Sequence, residues 1–121
     1  MTARPLFDHR HFDAAALAAA KNGRGIAVVI PARDEAPTIG RIVRTIARDL
    51  MKGTPLVDEV VVVDDGSADR TATIAASAGA RVVVSEGQGK GAAMWSGLAA
   101  TSAPIVVFCD GDLRNFGPHF V

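Results

Sequence analysis

The chain has 121 residues, 49% of them hydrophobic and 21% charged, and this fits one compact globular domain. Its 13 basic and 13 acidic side chains cancel, which excludes a global field that would favour nucleic acid or an anionic membrane surface. A single cysteine excludes an internal disulfide and a cysteine-based zinc cage. No apolar run approaches the roughly 20 residues of a membrane-spanning helix. Charged residues interrupt the segment from Asp8 to Asp13, so we expect no signal peptide and a cytoplasmic location.

Apolar runs of four or five residues alternate with helical patterns, and this alternation predicts an α/β fold with a parallel sheet. A short alanine-rich helix over residues 13–21 is expected outside the sheet, in a helical extension over residues 1–24 that precedes a domain over residues 25–121. Four strands, rich in β-branched residues and apolar on both faces, are expected to be buried. The strands are predicted over residues 26–30, 59–63, 81–84 and 105–109, and the connecting helices over residues 37–51, 68–78 and 91–100.

The sequence also indicates where the predicted helices end and which of their residues pack. Ser67 is expected to cap the second connecting helix, and Gly53 and Gly79 follow helix ends where a left-handed conformation is common. In the third connecting helix, Met94, Trp95 and Leu98 are expected to supply bulk. Cys109 is expected to be a small core residue.

Ligands of doubly wound sheets bind beyond the carboxyl ends of the strands, and the ends of the first two strands carry carboxylates here. The first is followed by PARDE (residues 31–35), which lacks the glycine-rich turn of a dinucleotide site and would repel a pyrophosphate. The plainer interpretation is that Asp34 and Glu35 only favour the dipole of the next helix. The second is followed by DDGSADR (residues 64–70), whose carboxylates can accept hydrogen bonds from a base or a ribose. Capping alone would explain Ser67 and Asp69, but explains Asp65 less well.

The third and fourth strands are followed by a glycine-rich stretch and an acidic triplet. EGQGKG (residues 86–91) does not match a phosphate-binding P-loop, but it places Lys90 at a helix start, where it can meet an anion or a base carbonyl. Asp110-Gly111-Asp112 is the strongest chemical signal, because hard oxygen ligands at a strand end can bind Mg²⁺ or Mn²⁺ when a diphosphate supplies further oxygens. The metal would then neutralise a leaving nucleoside diphosphate.

Three segments resemble the nucleotide-binding half of GT-A fold glycosyltransferases: VVIPARDEAPTIG, VDEVVVVDDGSADRT and APIVVFCDGDL. The stretch from GKGAAMW to GPHFV, with FDAAALAAAKNGRG near the start, more narrowly resembles the glucosyl-3-phosphoglycerate synthases within that family. This resemblance implies metal-dependent transfer of glucose from a nucleotide-sugar donor such as UDP-glucose to 3-phosphoglycerate, with retention of configuration.

The resemblance also implies roles for particular residues of this chain. Asp112 would bind the metal and diphosphate, Asp110 the ribose, and Lys90 the uracil side of the base. Serine often stands in these synthases in place of Asp65, and serine or alanine in place of Gly111. The residues expected to bind the nucleotide sugar are Pro31, Ala32, Arg33, Glu35, Asp65, Lys90, Asp110 and Gly111.

Members of this family are considerably longer, so we expect the chain to be a fragment or a truncated member that lacks the acceptor-binding residues and a further metal ligand. His119 lies too close to the acidic triplet to be taken for that ligand. The fourth strand is central in the family's sheet, so its open edge here would favour self-association or marginal stability.

Three alternatives remain at this point. A polyprenyl-phosphate sugar transferase shares the DDGS and DGD segments, although no membrane-contacting segment is visible. A binding module would hold nucleotide and metal without transferring sugar, and for the 121-residue chain alone we favour it over full catalysis. A signalling receiver domain also clusters aspartates around Mg²⁺, but it needs an aspartate after its third strand, where this chain has Val84-Ser85.

Overall fold

The computed structural model describes residues 13–121, so the first half of the expected extension over residues 1–24 lies outside the described residues. Within the described range, no helix combines the length and apolarity needed to cross a membrane. Helices and strands alternate as the sequence predicts. In chain order they are α1 (Ala14–Ala20), β1 (Ile26–Ala32), α2 (Ala36–Ile46), β2 (Glu59–Asp64), α3 (Thr71–Ala78), β3 (Arg81–Val84), α4 (Lys90–Ala100) and β4 (Ile105–Phe108), with a π-helical segment at Ala47–Gly53 and a 3₁₀ turn at Pro118–Phe120.

The four strands form one parallel sheet in the order β3-β2-β1-β4, which confirms the predicted α/β class. The central strands β1 and β2 are buried along almost their whole length. The edge strands are not, since Val84 at the end of β3 is 74% exposed and Phe108 at the end of β4 is 36% exposed. The expectation that all four strands are buried was therefore wrong for β3 and β4, because within residues 13–121 each of them pairs with one neighbouring strand only.

Helices cover both faces of the sheet, and alternate residues of β1 point to opposite faces. Val28 and Ile30 pack with apolar residues of α2, among them Ile39 and Ile42. Val29, on the other face, packs in a smaller cluster that includes Ala93 of α4. The two helical layers therefore enclose a core centred on β1 and β2.

Helix α4 approaches the sheet with small residues rather than bulky ones. Ala93 is completely buried, and Gly97 lies so close to β1 that a Cβ atom there would be 2.3 Å from Val29 Cγ1. Trp95 is 75% exposed and Leu98 37% exposed, so the expectation that they supply packing bulk was wrong. The close approach of the two backbones leaves no room for large side chains on the inner side of this helix.

Two predicted helix ends differ from the structure. Helix α3 begins at Thr71 rather than residue 68, and Ser67 does not cap it, since the Ser67 hydroxyl accepts a hydrogen bond from the Asp34 amide instead. Gly79 does end α3 in the left-handed conformation, at φ +116°. Gly53 does not do so for α2, which continues into the π-helical segment; a Cβ at Gly53 would lie 3.0 Å from the Arg48 carbonyl oxygen. Close backbone approach therefore explains the glycine.

An ion pair connects the end of helix α1 to the segment just before β2. The Lys21 Nζ atom lies 2.7 Å from Asp58 Oδ2 and also donates to the Leu56 carbonyl oxygen at 3.0 Å. The same Asp58 oxygen accepts a hydrogen bond from the Ile26 amide at 2.8 Å. These bonds, first that from Lys21 and then that from Ile26, hold the pKa of Asp58 below its usual range.

We expect Asp58→Asn to destabilise the chain at neutral pH and to make little difference in acid. A carboxylate whose pKa is lowered by folding contributes stability above its unfolded pKa, near 4, and loses that contribution as the pH falls through the lower folded value. The expected cost at pH 7 is about 1 kcal/mol, since Asp58 is half exposed. Urea unfolding of both proteins from pH 7 to pH 3 measures it. A difference that stays constant over this range would contradict the assignment to the charged pair.

Candidate functional site

The sheet register brings the segments after β1, β2 and β4 together at one edge. Ala32 at the end of β1 pairs with Asp64 at the end of β2. β4 stops opposite Val29, so the following residues run alongside the end of β1, starting with a hydrogen bond from the Cys109 amide to the Val29 carbonyl oxygen. The acidic triplet is thereby placed beside the PARDE segment.

Gly111 is held against the end of β1. A Cβ at Gly111 would lie 3.4 Å from the Pro31 carbonyl oxygen and 3.4 Å from Glu35 Cγ, so the approach is close but leaves room for alanine. The Thr38 hydroxyl of α2 donates to the Gly111 carbonyl oxygen at 2.6 Å. Helix α2 therefore fixes the turn on which Asp110 and Asp112 are carried.

A cavity of about 360 Å³ opens at this edge of the sheet. Its lining includes every residue that the sequence predicts for the site. These are Pro31, Ala32, Arg33, Glu35, Asp65, Lys90, Asp110, Gly111 and Asp112. The structure brings all nine together, and their roles toward a ligand stay predictions.

Two further lining residues, Gly89 and Ala93, were missed by the sequence analysis. Gly89 adopts φ +91° immediately before α4, and its amide donates to Asp65 Oδ2 at 3.0 Å. Ala93 follows Lys90 by three residues on the same helix and therefore shares its face. The glycine-rich stretch and the helical spacing were the signals that could have identified them.

An ion pair crosses the cavity. Lys90 Nζ lies 2.6 Å from Asp110 Oδ1, and both side chains are more than half exposed. The hydrogen bond to Asp110, followed by its charge, raises the pKa of Lys90. The pair joins the start of α4 to the turn after β4 and gives this wall one cationic and one anionic group.

Carboxylates dominate the electrostatics on the other side. The pKa of Glu35 is raised, first by burial and then by the negative charges of Asp112, Asp69, Asp34 and Asp110. Glu35 precedes α2 without capping it through its side chain. The negative charges around Glu35 oppose its ionised form, and a cation bound among them would offset that repulsion.

The residues fit a divalent cation that is shared with a phosphate-bearing ligand. Within residues 13–121, no three His, Cys, Asp or Glu side chains are arranged to hold a metal by themselves. Asp110 is paired with Lys90, whereas Asp112 is exposed and makes no hydrogen bond or ion pair within that range. Mg²⁺ is commonly bound by one or two carboxylates together with substrate phosphates, and this donor set matches that arrangement.

Cys109 lies next to the acidic triplet but belongs to the core. It is 7% exposed, as the sequence predicts, and burial, followed by the charge of Asp110, raises the pKa of its thiol. A raised pKa disfavours the nucleophilic thiolate.

Comparison with known proteins identifies the class that this fold and cavity define. Residues 27–116 match the model of glycosyl transferase family 2, and the chain therefore belongs to that family. A relative in Mycolicibacterium paratuberculosis, a glucosyl-3-phosphoglycerate synthase, is 50% identical over 115 residues, covering 88% of this chain and 34% of the relative. The glucosyl-3-phosphoglycerate synthase of Petrotoga mobilis is 36% identical over 104 residues, 79% of this chain and 32% of the relative.

Two solved structures extend this likeness. The glucosyl-3-phosphoglycerate synthase of Mycobacterium tuberculosis, in complex with Mn²⁺, UDP and glucosyl-3-phosphoglycerate, matches with a TM-score of 0.81 and 44% identity over 98% of this chain and 42% of its own. The mannosyl-3-phosphoglycerate synthase of Rubrobacter xylanophilus matches with a TM-score of 0.86 and 36% identity over 93% of this chain and 39% of its own. The chain spans about a third of the length of the curated relatives it matches.

Proposed function

We propose that the chain is the nucleotide-sugar-binding part of a glycosyltransferase that transfers glucose from UDP-glucose to 3-phosphoglycerate with retention of configuration. The observation that carries the proposal is the cavity at the ends of β1 and β4, where Asp110 and Asp112 meet Glu35 and Lys90. The 44% identity to a synthase solved with Mn²⁺, UDP and product supports the same assignment.

In this proposal several elements of the cavity wall each contact a different part of the donor. Pro31, Ala32 and Glu35, at the end of β1, line the nucleoside pocket, and Arg33 and Asp65 border it. Lys90 meets the uracil side, and Asp110 accepts hydrogen bonds from the ribose hydroxyls. Gly111 leaves room for the donor beside Pro31. The Lys90–Asp110 pair pre-orients both side chains before the nucleotide arrives.

Mg²⁺ or Mn²⁺ is the proposed cofactor, and Asp112 is the residue that would hold it. The bound cation supplies Lewis-acid neutralisation of the charge on the leaving diphosphate. Asp112 contributes one carboxylate and repels any diphosphate that enters without a cation.

The remaining sequence-based expectations are part of the same proposal. We place the boundary between the helical extension and the nucleotide-binding domain between residues 24 and 25. We expect the 121-residue chain alone to bind nucleotide without transferring sugar. The half-buried edge at β4 supports self-association. The phosphorylated acceptor is the partner of the longer enzyme, with neither nucleic acid nor membrane as a partner and with a cytoplasmic location.

A second candidate is transfer of mannose, which the likeness to the mannosyl-3-phosphoglycerate synthase favours. The two candidates differ in the transferred sugar. Titration with UDP and GDP tests which nucleoside the site accepts, and an isolated nucleotide-binding part can answer that question without any transfer of sugar.

Calorimetric titration of the purified chain with UDP and then GDP, with and without Mn²⁺, tests the proposal. We expect UDP to bind, and to bind more tightly with Mn²⁺, because the acidic wall repels a diphosphate until a cation is present. Preference for GDP would contradict UDP-glucose as the donor. Absence of binding by a chain that circular dichroism shows to be folded would overturn the proposal.

A further inference from the structure

Two loops at the cavity edge are joined by hydrogen bonds that none of the predicted ligand contacts requires. The first loop, residues 33–35, connects β1 to α2, and the second, residues 65–70, connects β2 to α3. Three successive amides, two in the first loop and one at the first residue of α2, each donate to a side chain of the second loop or of the start of α3. The bonds are Asp34 N to Ser67 Oγ at 3.0 Å, Glu35 N to Thr71 Oγ1 at 2.9 Å and Ala36 N to Asp69 Oδ2 at 3.1 Å.

The side chain of Asp34 returns bonds in the opposite direction. Its Oδ1 atom accepts from the Ala68 amide at 2.7 Å and from the Asp69 amide at 3.3 Å. Asp34 is thus both donor and acceptor across the gap, and its two neighbours in sequence line the cavity while its own side chain does not. The plainer interpretation, that Asp34 only favours the dipole of its own helix, does not account for these bonds between its carboxylate and the neighbouring loop.

The backbone of Asp34 is held in an unusual conformation that makes this arrangement possible. Its φ of +53° lies in the left-handed region, which within residues 13–121 only one other non-glycine residue, Asn22, enters. Aspartate and asparagine tolerate this region better than other side chains do. The reversal at residue 34 sends its side chain to the second loop and leaves Arg33 and Glu35 on the cavity wall.

We propose that Asp34 is a positioning residue for the nucleotide site: it fixes Arg33 and Glu35 in the cavity wall by tying their loop to the loop after β2. The inference rests on the proposed function. It assigns the role to the acceptor oxygen and the left-handed backbone of Asp34, and not to its negative charge.

Three substitutions of Asp34 and one of Ser67 separate these properties. Asp34→Asn keeps an acceptor oxygen and a residue suited to positive φ, and removes the charge. Asp34→Gly keeps the backbone freedom and removes the acceptor. Asp34→Ala removes both. Ser67→Ala removes the acceptor of the hydrogen bond that the Asp34 amide donates, and it leaves the Asp34 side chain unchanged.

The test measures UDP affinity with Mn²⁺ by calorimetry, the melting temperature by circular dichroism, and amide hydrogen exchange at Ala68 and Asp69. We expect Asp34→Asn to bind UDP within about threefold of the wild type, and Asp34→Gly to bind at least about tenfold more weakly. Ser67→Ala is expected to fall between them. Exchange at Ala68 and Asp69 is expected to be faster in Asp34→Gly and unchanged in Asp34→Asn.

Each outcome decides a different point. A lower melting temperature with unchanged UDP affinity in Asp34→Gly would make the residue merely structural and overturn the inference. Equal weakening by Asp34→Asn and Asp34→Gly would assign the effect to the charge, which also overturns it. A wild-type chain that binds no UDP would overturn the proposed function. Slow exchange at Ala68 and Asp69 in Asp34→Gly would show separately that the Asp34 side chain does not hold the two loops together.

Discussion

Replacing Gly97 by alanine is expected to destabilise the chain by about 1–3 kcal/mol, a large part of the stability of a small domain. The new Cβ would lie 2.3 Å from Val29 Cγ1 and 3.2 Å from Val63 Cγ2. Val29 and Val63 are completely buried, so neither can move without disturbing the centre of the sheet. Urea unfolding followed by circular dichroism measures the change.

The matched control is Gly91→Ala on the same helix, where the added Cβ meets nothing within 4 Å. There the substitution acts only through helix propensity and is expected to be neutral or to stabilise by up to about 1 kcal/mol. The two substitutions are chemically identical, so opposite signs isolate the contact with β1. Two stabilising results would show that α4 does not approach β1 as closely as described.

Replacing Asp112 by alanine is expected to abolish the benefit that Mn²⁺ gives to UDP binding. The loss with Mn²⁺ present should reach about 100-fold, which corresponds to about 2.7 kcal/mol. Without metal no loss is expected: affinity should be unchanged or slightly higher, because the substitution removes the negative charge of Asp112 beside Glu35 and so lowers the repulsion of an entering diphosphate. Calorimetric titration with UDP, with and without Mn²⁺, measures both effects.

Asp49→Ala is a suitable control for that experiment. Asp49 is paired with its neighbour Arg48 at 2.7 Å in the π-helical segment, and it does not line the cavity. The same loss of one carboxylate should leave UDP binding unchanged under both conditions. Equal weakening by Asp112→Ala with and without Mn²⁺, in a folded chain, would contradict its proposed role as the residue that holds the metal.

The sequence predicts the sheet well because the strands carry their own signals. Runs such as IAVVI and VVVV locate β1 and β2, and the carboxyl ends of parallel strands lie at one edge, so the acidic triplet and PARDE were expected at the same edge of the sheet. The resemblance to GT-A glycosyltransferases then selected which of the residues at that edge to expect in the site.

What the sequence could not predict depends on contacts between distant segments. Ser67 has the residue type of a helix cap, but the amide of Asp34 in another loop uses its hydroxyl. Trp95 has the size of a core residue, but the close approach of Gly97 to Val29 excludes bulk from the inner face of α4. Local patterns give propensities, and tertiary contacts decided between the alternatives in both cases.

The exposure of Trp95 governs how the chain can be followed spectroscopically. It is the sole tryptophan, there is no tyrosine, and the residue is already 75% exposed to water in the folded state. Unfolding therefore changes the surroundings of this fluorophore little, and its emission is a poor measure of folding. The same exposure makes it accessible to dissolved quenchers, and its position five residues after Lys90 places a natural optical probe on the helix that begins at the cavity.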